Sequence, residues 1–210
     1  AMGSRSVPEP GLGSLTNGMR LVSRWVPLVT LPIIASVATA QTPIESKSGW
    51  YLSGAVNFGQ DIIGSEDTRR GGWYAIGVYR PEKRLAIRGL PAQLHVEAYY
   101  MFTKGGGFDN FPVDKMHSFG ILATARYWPK LFRGVNTYFD LGFGVVSNSI
   151  KTQDLESRVN TTPTLGVGVG WALAECDVLL GVRLFHMSNG GTVGSNQGSN
   201  NIQYVLTVRF

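Results

Sequence analysis

One cysteine, Cys176, stands among 210 residues. The chain therefore closes no disulfide within itself and offers no CxxC pair to a metal. Charged residues make up only 16%, and no segment reaches the roughly 18 consecutive apolar residues that a membrane-spanning helix needs. No helical period of apolar residues is evident from Gln41 onward. The net charge of +5 is a mild basic bias, of which the first forty residues (Arg5, Arg20, Arg24 and Glu9) supply +2. Such a bias accommodates an anionic partner, for example a phosphorylated lipid. No Lys/Arg stripe with interleaved aromatics accompanies it, so nucleic acid is not expected as a partner. The run Gly105-Gly106-Gly107 precedes no helix and reads as loop, not as a phosphate cradle.

Glycine is abundant, at 27 of 210 residues, well above the usual share of about 7%. Many of these glycines fall inside strand-like runs, where they suit curvature or close approach. Residues 1–18 read as a cloning remnant or a misplaced start. Met19 then opens a secretory signal over 19–40: Arg20 and Arg24, a mostly apolar run from Trp25 to Val37, and Ala38-Thr39-Ala40 before Gln41.

The remainder, 41–210, alternates apolar and polar residues with the period of two that marks half-buried strands. Strands are expected near 49–59, 71–80, 92–103, 115–128, 134–146, 161–173, 176–188 and 200–210. One face of each is apolar, as in Tyr74, Ile76 and Val78 or in Phe139, Leu141, Phe143 and Val145. The other carries His95, Glu97, Arg126, Asp140, Asp177 and Arg183. Connections alternate long and short, and Trp50, Tyr127, Trp128, Trp171 and Phe210 collect at strand ends, where the interfacial aromatic girdles of a membrane barrel are expected. These features predict an all-β fold, an eight-stranded antiparallel transmembrane β-barrel of the outer-membrane type. Eight strands leave room inside only for side chains, and Glu97, Asp140, Arg126 and Arg183 can neutralise one another there. The competing arrangement is a secreted, lipocalin-like barrel with the apolar face inward.

The last hairpin carries the chemistry. Val178, Leu180, Val182 and Leu184 lead on one face into His186 and Ser188, and Asn200 opens the same face of the final strand. Polar groups thus end a face where packing alone would place Leu or Val. His186 and Ser188 point the same way, roughly 7 Å apart at their Cα atoms. With short turns periplasmic and long loops outside, both lie at the outer rim facing lipid. A hydroxyl beside an imidazole, which titrates near neutrality, suits ester cleavage.

The run His186-Met187-Ser188-Asn189-Gly190, followed by Asn196-Gln197-Gly198-Ser199-Asn200 and ten further residues, resembles the outer-membrane lipid A 3-O-deacylases, the PagL family. That family's pattern is H-x-S-N, then N-x-G-x-E, then a final strand. The resemblance implies hydrolysis of the 3-O-linked hydroxyacyl chain of lipid A in lipopolysaccharide at the bacterial outer membrane, without metal or other cofactor. It implies Ser188 as nucleophile, His186 as base and Asn200 as third member. Asn189, Gly190, Asn196 and Gly198 would support the oxyanion and the loop. Asn200 departs from the pattern, because the family's type members have glutamate there. Asp61, Glu66 or Asp67 could reach in from the first loop. Two other readings stay open: a non-enzymatic barrel used in adhesion or envelope anchoring, and an acyl transferase. The sequence leaves the oligomeric state open, a homodimer included.

Overall fold

The computed structural model describes residues 43–62, 64–66, 68–105, 114–133, 135–194 and 197–210. The two N-terminal segments read from the sequence lie outside the described residues. Nine strands follow in order: β1 Gly49–Gln60, β2 Arg70–Pro81, β3 Ala92–Gly105, β4 Asp114–Tyr127, β5 Asn136–Asn148, β6 Val159–Thr161, β7 Thr164–Ala172, β8 Asp177–Met187 and β9 Ser199–Arg209. Eight of them run antiparallel in the order β4-β3-β2-β1-β9-β8-β7-β5, and pairing of β4 with β5 closes the ring. β6 is a three-residue strip laid on β5.

The expected strand 161–173 is therefore two pieces, β6 and β7, interrupted at Thr162-Pro163. A proline has no N–H to give to a ladder. The Pro163 carbonyl still accepts from the His186 N–H, and the Thr162 N–H turns to the Gly144 carbonyl.

Alternation decides what faces where. Outward positions such as Ile76, Phe119, Phe143, Val167 and Tyr204 are exposed, whereas the charged side chains are buried inside. This is the inverse of a lipocalin, and it fits a barrel surrounded by hydrocarbon. Inside, Arg126 donates bidentately to Asp140 at 2.8 and 2.7 Å. Arg183 reaches Glu97 at 3.2 Å, and the Tyr51 hydroxyl donates to the same carboxylate at 2.8 Å. Both guanidiniums also lie on aromatic faces, Arg126 on Tyr138 and Arg183 on Trp73. Charges buried in this way are tolerable because each is paired and hydrogen-bonded.

The connections 82–91, 128–135 and 173–176 sit at the end expected to carry the short turns, though 82–91 spans ten residues, and those after β1, β3, β5 and β8 sit at the other, long-loop end. At the short-turn end Arg209 bonds Asp177, Gln93 and the Ile44 carbonyl, so the segment before β1 is drawn into the mouth. Trp128 joins this plug. Its Nε1–H donates to Gln93 at 3.0 Å and its ring is buried with Ile44, Tyr138 and Leu179. Trp128 is therefore not part of the aromatic girdle expected from its place at a strand end, whereas Trp50, Trp171 and Phe210 are exposed there.

Candidate active site

The site begins with the β8–β9 register, in which His186 stands opposite Asn200 and Met187 opposite Ser199. Phe185 and Met187 fill the interior. Alternation then turns His186 and Ser188 outward at the long-loop end, as the sequence pattern predicts.

His186 Nδ1 lies 2.7 Å from Asn200 Oδ1. Asn200 is on the outward face yet has 0% of its surface exposed, because the loop after β1 folds over it. Its Nδ2 donates to the Ile62 carbonyl oxygen at 2.6 Å. A carbonyl only accepts, so the NH2 end of the amide must face Ile62 and the oxygen must face the imidazole. The proton of the neutral ring then sits on Nδ1, and Nε2 keeps a free lone pair. The first loop reaches Asn200 through the Ile62 backbone carbonyl, whereas the expectation from sequence was a carboxylate from Asp61, Glu66 or Asp67. Glu66 instead accepts from Gln153 at 2.8 Å, and Asp67 lies outside the described residues.

Gly198 makes room for the ring. It adopts φ +77°, and a Cβ there would stand 2.5 Å from His186 Cε1 and 3.1 Å from Nε2. The imidazole thus leans from Asn200 toward Gly198. The β8–β9 pairing ends at Met187–Ser199, and Ser188 bridges instead to Thr161. Ser188 follows His186 on the same outward face, and no hydrogen bond joins their side chains among the described residues. Ser188 is held through its backbone: its N–H donates to the Thr161 carbonyl, and its carbonyl accepts from the Thr161 N–H at 2.7 Å and hydroxyl at 2.9 Å. Ser188 Oγ makes no hydrogen bond among the described residues.

Asn189 has a different occupation from the one expected. Its Nδ2 donates to the Val193 carbonyl and its Oδ1 accepts from the Gly191 N–H, both at 2.8 Å. The side chain is thereby spent on shaping the turn. Gly190, at φ +65°, is exposed, and its N–H donates to nothing among the described residues. Asn196 lies outside the described residues.

Two residues that no local motif indicated hold the site together. Thr161 clamps Ser188. Asp154, buried in the β5–β6 connection, accepts from the Ser65 hydroxyl at 2.9 Å and the Glu66 N–H at 2.8 Å, and its carbonyl accepts from the Gly198 N–H at 3.0 Å. One residue thus fastens the loop carrying Ile62 to the loop carrying Gly198.

The profile of the family described as "Lipid A 3-O-deacylase (PagL)" matches residues 48–209. The chain belongs to the PagL family of lipid A 3-O-deacylases. Among solved structures, the outer-membrane enzyme PagL matches with 21% identity and a TM-score of 0.53, over 76% of this chain and 99% of that one. Neisserial surface protein A (NspA) matches with 17% identity and a TM-score of 0.50, over 78% and 97%. No curated protein matches. The two structural likenesses establish the eight-stranded outer-membrane barrel. A deacylase and a surface protein share it, so the fold alone does not choose an activity. Family membership does: a deacylase acting on lipid A of lipopolysaccharide, in the outer membrane.

Proposed function

We propose that this chain is a serine esterase that removes the 3-O-linked hydroxyacyl chain of lipid A, with Ser188 as nucleophile, His186 as general base and Asn200 as the residue that fixes the imidazole. The observation that carries this reading is the amide sandwiched between His186 Nδ1 and the Ile62 carbonyl. In serine proteases an Asp→Asn change at the comparable position costs about 10⁴ in rate by selecting the wrong tautomer. Here the amide NH2 is turned to the Ile62 carbonyl, so Asn200 presents its oxygen to the imidazole and selects the competent tautomer.

Ser188 Oγ attacks the ester carbonyl carbon while its proton passes to His186 Nε2. The tetrahedral intermediate collapses, and the sugar oxygen leaves with that proton. Water then attacks the acyl-enzyme with His186 again as base, releasing the 3-hydroxy fatty acid and free Ser188. Because the Asn189 carboxamide is engaged in its own turn, the Gly190 N–H is the better oxyanion donor. Below the site, Val167, Val169, Leu180, Val182, Tyr204 and Leu206 border a shallow apolar groove on the outer wall that suits an acyl chain.

Ser188→Ala in the full chain, incubated with purified lipopolysaccharide, is expected to release no 3-hydroxy fatty acid while the barrel stays folded. Undiminished release would remove Ser188 from the mechanism. A gain in lipid A mass with the unsubstituted protein would favour acyl transfer instead, and no change in mass a non-enzymatic barrel.

A further inference from the structure

The outer wall of the barrel is almost free of charge. Outward strand positions on β1, β5, β7, β8 and β9 hold no Lys, Arg, Asp or Glu. Those on β2, β3 and β4 hold four, all cationic: Arg70, Arg80, Lys104 and Lys115. Arg80 is at the short-turn end. The other three form a single row at the long-loop end, with Arg70 opposite Lys104 and Lys104 opposite Lys115.

Like charges directly opposite on neighbouring strands destabilise a sheet, and strands lie only about 4.8 Å apart. None of the three has an ion-pair partner among the described residues. Arg69, one position earlier and buried inside, is paired with Asp114. The row stands directly above an aromatic band. In the next outward rows Phe102 faces His117, and Tyr74, Tyr100 and Phe119 stand abreast, with the Tyr100 hydroxyl 2.7 Å from His117 Nδ1. Below the band Ile76 and Ile121 are exposed apolar wall. Aromatic bands mark the membrane–water interface, so the cations sit at headgroup height and the wall beneath them meets acyl chains.

Three cations without an ion-pair partner among the described residues, above a hydrocarbon-facing wall, match a molecule with phosphate at its head and acyl chains at its tail. We propose that Arg70, Lys104 and Lys115 form a docking site for the phosphates of a lipid A molecule that is bound and not hydrolysed. The row is centred on β3, and the path β3-β2-β1-β9-β8 separates it from the catalytic hairpin by half the eight-stranded ring. A lipid held there cannot bring its ester to Ser188. The site therefore keeps one substrate-like molecule in the protein's lipid collar, and it stands whether or not the serine mechanism does.

The test uses the full chain with Ser188→Ala, so that bound lipid is not consumed, and the same chain with Arg70→Gln, Lys104→Gln and Lys115→Gln added. Native mass spectrometry counts the lipid A molecules retained, and titration in phosphatidylcholine nanodiscs gives the affinity. The triple substitution is expected to lower retention by one molecule and to weaken that binding at least tenfold, while Arg70→Lys leaves it unchanged. Dephosphorylated lipid A is expected to bind the two proteins alike. With Ser188 restored, the triple substitution is expected to leave hydrolysis of dispersed substrate unaltered, which separates this row from the catalytic hairpin. Equal retention by both proteins would overturn the proposal, as would full displacement by millimolar inorganic phosphate or equal competition by phosphatidylglycerol.

Discussion

Asn200 Nδ2 donates to the Ile62 carbonyl oxygen across 2.6 Å, joining residues that lie 138 apart in sequence. That bond determines which end of the amide meets His186. On the mechanism proposed, it lets a neutral side chain stand where the family pattern has glutamate. The carboxylate's charge is forgone, but its orientation and choice of tautomer are retained.

Asn200→Ala is expected to lower kcat by about 10²-fold, the lower end of what a positioned general base supplies, with KM little changed. Asn200→Asp is isosteric but cannot donate to Ile62, and it sets a carboxylate oxygen against that carbonyl. Its activity is expected to fall below that of the unsubstituted enzyme. Steady-state hydrolysis of purified lipopolysaccharide checks both, and higher activity in Asn200→Asp would show that imidazolium stabilisation outweighs the anchor.

Gly198→Ala would force a Cβ to within 2.5 Å of His186 Cε1 at a positive φ. The ring must shift, and displacement of a reacting group by about 1 Å can cost about 10²-fold in rate. The expected result is a loss of that order in kcat with the barrel intact, read from hydrolysis rates beside far-ultraviolet circular dichroism.

Asp154→Ala removes the acceptor that holds Ser65 and Glu66 against the β5–β6 connection. The loop carrying Ile62 loses its tether, and activity is expected to fall about tenfold through misplacement of Asn200. Asp154→Asn keeps one carbonyl acceptor and should restore part of the loss. Faster hydrogen exchange confined to residues 61–66 in the alanine variant would locate the effect.

Inside the barrel, Arg126→Leu or Asp140→Leu alone leaves a buried charge without its bidentate partner. Each is expected to cost about 3–5 kcal/mol, and the double substitution less than either single one. Urea unfolding in lipid vesicles measures all three.

The barrel was largely legible in the sequence because alternation is local: each strand states its own two faces, and the glutamate–arginine interior follows from which residues share a face. That His186, Ser188 and Asn200 share one outward face was legible because they lie on one hairpin, where strand geometry relates positions a few residues apart. Ile62 and Asp154 were not, since their contacts with the site come from closure of the ring and from loops whose backbone carbonyls carry no sequence signature. The sequence places Trp128 in the girdle because a strand-end indole suits either side of the wall, and only the Gln93 side-chain oxygen Oε1 inside the mouth decides. The break in the sixth expected strand was signalled by Pro163, but a single proline does not say whether a strand ends, bends or bulges.

Asn200 and Ile62 lie on opposite sides of the seam where the last strand meets the first, with Gln60 paired to Asn200 across it. Until that seam zips shut, the imidazole has no fixed tautomer and the wall beneath it is incomplete. On the mechanism proposed, a half-inserted chain is expected to hydrolyse little, so the rise of hydrolysis during refolding would report closure of the cylinder.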